Sequence, residues 1–154
     1  MGIGPSNTQG SRLSFTGSYR HTIDAKGRLI VPARMRDELG DNVVLSTWLD
    51  GCIALWSQAG WEEIEALLRR QPNNSRAARA FVRKVAKSAH SEEVDRQGRI
   101  TVSGALRSEA GITRDVVVNG AINRAELWSP ERWDEQEQQV EEGSLEALAD
   151  QLDF

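Results

Sequence analysis

Apolar and polar positions change period along this chain, and the changes mark its elements. From Phe15 to Ile23 the residues alternate. Phe15, Gly17, Tyr19, His21 and Ile23 fall on one face, and Thr16, Ser18, Arg20 and Thr22 on the other. A period of two predicts a half-buried strand over 15–23. Leu29, Ile30 and Val31 form a compact apolar run. Residues 24–28 are then the turn of a hairpin, in which Gly27 can take positive φ without steric cost. Pro32 opens a short helix over 33–39 that Gly40 closes. "NVVLST" (42–47) and "CIALW" (52–56) read as two more strands, and Ser57 is placed to cap a helix over 58–70. The period lengthens again over 75–87, where Phe81, Val82 and Val85 share a face and Arg76, Arg79, Arg83 and Lys87 form a cationic stripe. Such a stripe reads first as a solvated surface or a partner for acidic residues of a neighbouring chain, and second as a nucleic-acid contact. Near the C-terminus, "SLEALADQLDF" carries Leu145, Leu148 and Leu152 at helical spacing, which predicts a packing helix suited to a subunit interface.

The pattern occurs twice. "IDAKGR" (23–28) returns as "VDRQGR" (94–99), and "LIVPARMRDELG" (29–40) aligns with "ITVSGALRSEAG" (100–111), setting Arg36 on Arg107, Glu38 on Glu109 and Gly40 on Gly111. "ALWSQAGWEE" (54–63) aligns with "ELWSPERWDE" (126–135) after a shift of one residue, as an altered turn would give. Ser129-Pro130 caps the second copy of that helix, with proline at its first position. Two units of about 45 residues, each too small to bury an adequate core, gain by packing on one another. The chain therefore divides into a leader over 1–13 rich in Gly, Ser and Asn, a first module over 18–61, connecting helices over 62–89, a second module over 90–133 and an acidic helical tail over 134–154.

Composition is that of a globular protein, with 39% apolar and 27% charged residues. No apolar run approaches the length of a membrane span, no signal-peptide pattern opens the chain, and Cys52 is the single cysteine. These features lead us to expect a cytoplasmic protein without membrane contact. Net charge is −4, but residues 1–90 carry 13 Lys/Arg against 8 Asp/Glu, whereas 91–154 carry 6 against 15. Nine of those acids lie in 131–154, opposed only by Arg132. A phosphate-binding surface depends on charge within a Debye length of about 10 Å, so the total says nothing against one.

No constellation of catalytic type stands out. His21 and His90 belong to no cluster with metal-ligand spacing, and each reads as a satisfied, partly buried histidine. Neither a phosphate-cradling glycine loop nor a nucleophile elbow occurs. We expect no enzyme, metal or cofactor. The repeated Asp-x-x-x-Arg turns are different. Asp24 can accept N–H bonds across its turn and pair with Arg28, and Asp95 can do the same with Arg99. Bracing alone leaves Lys26 and Arg96 unexplained, as it does the nearby Arg20, Arg34 and Arg36. Guanidinium groups on a rigid loop suit bidentate contacts with phosphates and guanine edges.

Together "GSYRHTIDAKGRLIVPARMRDELG", "LDGCIALWSQAGWEEIEALL", "ARAFVRKVAKSA", "VDRQGRITVSGALR" and "NRAELWSPERW" resemble the MraZ family of bacterial transcription factors, built from two tandem SpoVT-AbrB-type modules. The resemblance covers 15 to about 150, nearly ungapped. It implies a β-rich α+β fold in which swapped hairpins interlock as a pseudo-dimeric barrel with peripheral helices. It further implies a ring of about eight or more subunits. The implied partner is double-stranded DNA carrying short direct repeats ahead of the chain's own division and cell-wall operon. The implied role is a nucleoid-associated repressor. Asp24 with Arg28 and Asp95 with Arg99 are the positions that match the family's DNA-contacting loops. Residue chemistry adds Lys26 and Arg96, with Arg20, Arg34 and Arg36 as a supporting set. Ser103 stands where the family usually has the proline matched by Pro32, so a looser start is expected for the second unit's helix. An AbrB-like transition regulator or antitoxin, or a scaffold whose loops bind protein, are the alternatives.

Overall fold

The computed structural model describes residues 14–153, and the leader expected over 1–13 lies outside them. In chain order the elements are β1 (Ser18–Thr22), β2 (Arg28–Ile30), α1 (Ala33–Leu39), β3 (Asn42–Thr47), a single 3-10 turn (Leu49–Gly51), β4 (Ile53–Ser57), α2 (Gln58–Arg69) and α3 (Arg76–Ser88). There follow β5 (His90–Glu93), β6 (Arg99–Thr101), α4 (Gly104–Ala110), β7 (Asp115–Gly120), β8 (Ala125–Trp128), α5 (Pro130–Gly143) and α6 (Leu145–Ala149). The class is α+β, as expected. The first strand is shorter than its alternation suggests: Phe15 and Ile23 make only isolated bridges, to Ile122 and Leu29, on either side of β1.

The hairpin reading of 24–28 is corrected by the pairing. The turn is tight, with the Gly27 N–H donating to Asp24 O at 2.9 Å. The strands it joins bridge through their backbones only at Ile23–Leu29, and each then pairs with a strand of the other half. β1 pairs antiparallel with β7, and β2 with β6. Each half therefore lends strands to the other. The main sheet runs β1-β7-β8-β4-β3-β5, in which β1 of the first half borders β7 of the second, and β5 of the second borders β3 of the first. The β4–β8 pairing, with Ile53 opposite Leu127, joins the halves at the centre. β2 and β6 form a separate two-stranded ribbon. The interlocking expected of the fold is present, and the ladders form a six-stranded sheet and a separate two-stranded ribbon.

One core serves both halves. Phe15, Leu29, Val31, Met35, Leu45 and Leu55 from the first half pack with Ile100, Val102, Leu106, Val116, Val118 and Leu127 from the second. Each such side chain contributes about 1.5–3 kcal/mol on burial, so a half that kept only its own contacts would lose much of its stability. The duplicated tryptophans sit in equivalent places: Trp56 lies 6.4 Å from Trp61 under α2, and Trp128 lies 5.6 Å from Trp133 under α5. Ser57 and Ser129 cap their helices as the sequence suggests, accepting from the N–H groups of Gly60 and Arg132, and Ser75 does the same for Ala78 at the start of α3. Ser103 reverses its expectation. Its hydroxyl accepts from Leu106 N–H at 3.2 Å, whereas α1, entered through Pro32, has no side-chain cap. The expected packing helix at the C-terminus shrinks to α6, and Leu145, Leu148 and Leu152 stay exposed. Among the described residues nothing covers that face.

Candidate nucleic-acid interface

The two Asp-x-x-x-Arg turns are built identically. Asp24 Oδ1 accepts from the N–H groups of Lys26 and Arg28, each at 2.9 Å, and Oδ2 accepts from Arg28 Nε at 2.9 Å. Asp95 repeats this with Gln97, Arg99 and Arg99 Nε, all at 2.9 Å. Three donors on one carboxylate favour its charged form. The backbone N–H of Arg28 is the main cause that holds Asp24 below the ordinary aspartate value, and that of Arg99 acts likewise on Asp95. The aspartates are thus braces. They spend one guanidinium N–H of each arginine and fix its plane.

The ribbon brings the two turns together. In its register Arg28 lies opposite Thr101, Leu29 opposite Ile100, and Ile30 opposite Arg99. Leu29 and Ile100 point into the core, so alternation turns Arg28, Ile30, Arg99 and Thr101 outward on one face. Arg28 and Arg99 stand diagonally across it, about 8 Å apart by strand spacing and rise. Lys26 and Arg96 are exposed at the two turn tips.

Each turn is also held by the opposite half. Val31 N–H donates to Gly98 O, and Val102 N–H to Gly27 O, both at 2.8 Å. Gly27 and Gly98 have φ values of 83° and 78°, and a side chain on Gly98 would come within 2.5 Å of Arg36 Nε. Arg36 lies across that turn while its Nε donates to Val31 O at 3.1 Å. Arg107 mirrors it, donating from Nε to Val102 O at 3.0 Å and lying against Gly27. Arg36 is therefore engaged within the protein, and its repeat partner Arg107 performs a role that sequence reasoning missed, although the alignment of the two arginines was the available signal. Ile30, 49% exposed at the centre of the outward face, was missed too, because an apolar triplet reads as core.

Of the other candidates, Arg34 is exposed on α1, and Arg20 points outward from β1 with Asp134 at 3.7 Å. His21 is half-buried, with Nδ1 2.8 Å from Ile30 O. His90 departs from its expectation. Nδ1 lies 3.3 Å from Ser88 O, but Nε2 is buried without a hydrogen-bond partner, because Glu92, two residues along the same face of β5, stops 3.8 Å away. Among the described residues no helix is long and apolar enough to cross a membrane, and no group of three or more His, Cys, Asp and Glu is arranged around a common point as metal ligands would be.

With this geometry in view, comparison with known proteins is direct. The family model for MraZ protein, described as antitoxin-like, matches twice, over residues 14–84 and 85–154. The chain is 43% identical over 140 residues to a protein of Ligilactobacillus salivarius named transcriptional regulator MraZ, covering 91% of this chain and 98% of that relative. It is 46% identical over 138 residues to a protein of the same name from Moorella thermoacetica, covering 90% and 96%. Matches of this extent, over two repeats that interlock through their strands, place the chain in the MraZ family.

Proposed function

We propose that this chain is a transcription regulator that binds double-stranded DNA through the outward face of the β2–β6 ribbon and the two braced turns beside it. The observation that carries this reading is the placement of Arg28 and Arg99 on one solvent-facing surface, each fixed in plane by its own aspartate. A two-stranded ribbon fits the major groove, where arginine pairs bidentately with guanine and apolar groups meet the thymine methyl. Arg28 and Arg99 supply the first kind of contact, and Ile30 the second. Lys26 and Arg96 at the tips suit phosphates, as do Arg20 and Arg34 at the flanks. Asp24, Asp95, Arg36 and Arg107 hold these groups in place.

One ribbon offers few cations, and binding on that scale is weak and salt-sensitive. A ring of about eight or more copies would present many ribbons to direct repeats spaced about one helical turn apart, raising effective concentration without new contacts. The reading extends to repression of the chain's own division and cell-wall operon by a cytoplasmic, nucleoid-associated assembly.

Fluorescence anisotropy with DNA from upstream of the chain's own coding region, against the same DNA with scrambled repeats, tests the proposal. Arg28→Ala should remove the preference for intact repeats while circular dichroism and assembly size stay unchanged. Wild-type affinity should fall steeply on a log–log salt plot. Undiminished repeat binding by Arg28→Ala would refute the role of the first turn, and a flat salt dependence would favour a protein-binding scaffold.

A further inference from the structure

The groove between α2 and α3 has an apolar floor and, among the described residues, no cover. Trp61 and Leu68 of α2 face Val82 and Ala86 of α3 across it. Beyond Leu68 it continues past Ala78 to Arg79 and Arg83. Its rim carries Arg79 and Arg83, and Arg69 paired with Glu65 at 4.0 Å; Arg76 and Lys87 continue the stripe along α3 beyond it. Arg76, Arg79, Arg83 and Lys87 form no ion pair among the described residues, although Arg79 Nη1 donates to Asn73 O at 2.7 Å. This is the stripe whose purpose the ribbon does not absorb.

The tail has the complementary character. Leu145, Leu148 and Leu152 are 75%, 42% and 60% exposed, and Glu146, Asp150 and Asp153 follow them along the segment. Extended as a helix, Leu145 to Leu152 spans about 10.5 Å, and the groove from Ala78 to Ala86 runs about 12 Å at the same rise per residue. Both surfaces thus pair an apolar strip of matching length with charge of opposite sign. They lie over different halves of the sheet, α2 and α3 over β4 and β3, and α5, which carries α6, over β7.

We infer that the groove between α2 and α3 receives the acidic leucine-bearing segment 145–153 of a second copy of this chain. Groove and tail are distinct patches, so the contact is heterologous: every copy that accepts a tail still offers its own. Such a contact propagates and yields a ring when its rotation closes. The inference deepens the ring reading above and rests on it. It names the two surfaces that meet.

Cysteine pairing tests it on the full chain. Native Cys52 is 2% exposed, which keeps it out of the reaction. In the double variant Val82→Cys/Leu148→Cys, mild oxidation should give a reducible ladder of linked chains on a denaturing gel, absent from either single variant. A fast-migrating monomer would mean that the tail folds into its own groove, and no linkage at all would mean that it docks elsewhere. Either result overturns the inference. Charge reversal supplies an independent test by light scattering. Arg79→Glu/Arg83→Glu should lower the assembly mass, and adding Glu146→Arg/Asp150→Arg should restore it, whereas failure of that restoration counts against the pairing. A wild-type ring without cross-links would sink the docking alone, and a monomeric wild type would sink the ring reading with it.

Discussion

Replacing Gly98 with alanine tests how the second turn is held. Gly98 sits at φ 78°, where an L side chain costs about 1–2 kcal/mol. The new methyl would also approach within 2.5 Å of Arg36 Nε and 2.7 Å of Arg36 Nη2, so the guanidinium must leave. Its hydrogen bond to Val31 O is lost, and for a half-buried charged donor that adds about 1–2 kcal/mol. The sum is about 2–4 kcal/mol, which for a chain of this length lowers Tm by about 4–16 °C. The two parts can be separated. In an Arg36→Ala background no guanidinium has to move, so Gly98→Ala should cost only the backbone part, leaving a coupling of about 1–2 kcal/mol in a double-mutant cycle. Urea unfolding of the four proteins, followed by tryptophan fluorescence, gives that number. Equal costs in both backgrounds, within about 0.5 kcal/mol, would show that Arg36 does not lean on the turn.

Further expectations concern acid, capping and base reading. Because folding lowers the values of Asp24 and Asp95, their bracing is complete above the ordinary aspartate value of 3.8 and fades as pH falls through the lowered ones. Carboxyl carbon shifts of these two in an NMR titration should therefore move below the ordinary aspartate value, and movement at or above it would refute the brace. Ser103→Ala should destabilise by about 1 kcal/mol through loss of the α4 cap, measurable as a shifted urea midpoint. Ile30→Ala should weaken binding to repeat DNA about fourfold, the worth of about one buried methylene. On uracil-substituted DNA, which lacks the thymine methyl, that difference should vanish.

Much of the fold was legible because local signals sufficed. Serine caps at 57 and 129, the Gly40 and Gly111 stops and the alternation around Tyr19 each act within a few residues. Strand partnership does not. A tight turn at 24–28 implies that its flanking strands pair, yet Leu29 and Ile100 gain more by facing one core together, and that preference is set by residues 71 positions apart. Only the family resemblance carried the exchange. The braces at Asp24 and Asp95 were readable for the same local reason, whereas Arg36 looked like a free cation because the glycine it covers belongs to the other half. The leucines of the tail read as a packing face by pattern, yet they stay exposed, because spacing shows an apolar face and says nothing of what covers it.

The exchanged pairing has a consequence for how the protein is made. β1 leaves the ribosome well before β7, yet Thr22 pairs with Asp115. At about 5–20 residues per second, the strand waits roughly 5–20 s for its neighbour. During that interval Phe15, Leu29 and Val31 have no second half to cover them, and two nascent chains on one message are close enough to complete each other's sheets. The duplication that supplies two braced turns per chain therefore also makes speed of synthesis a determinant of whether a chain folds with itself or with its neighbour.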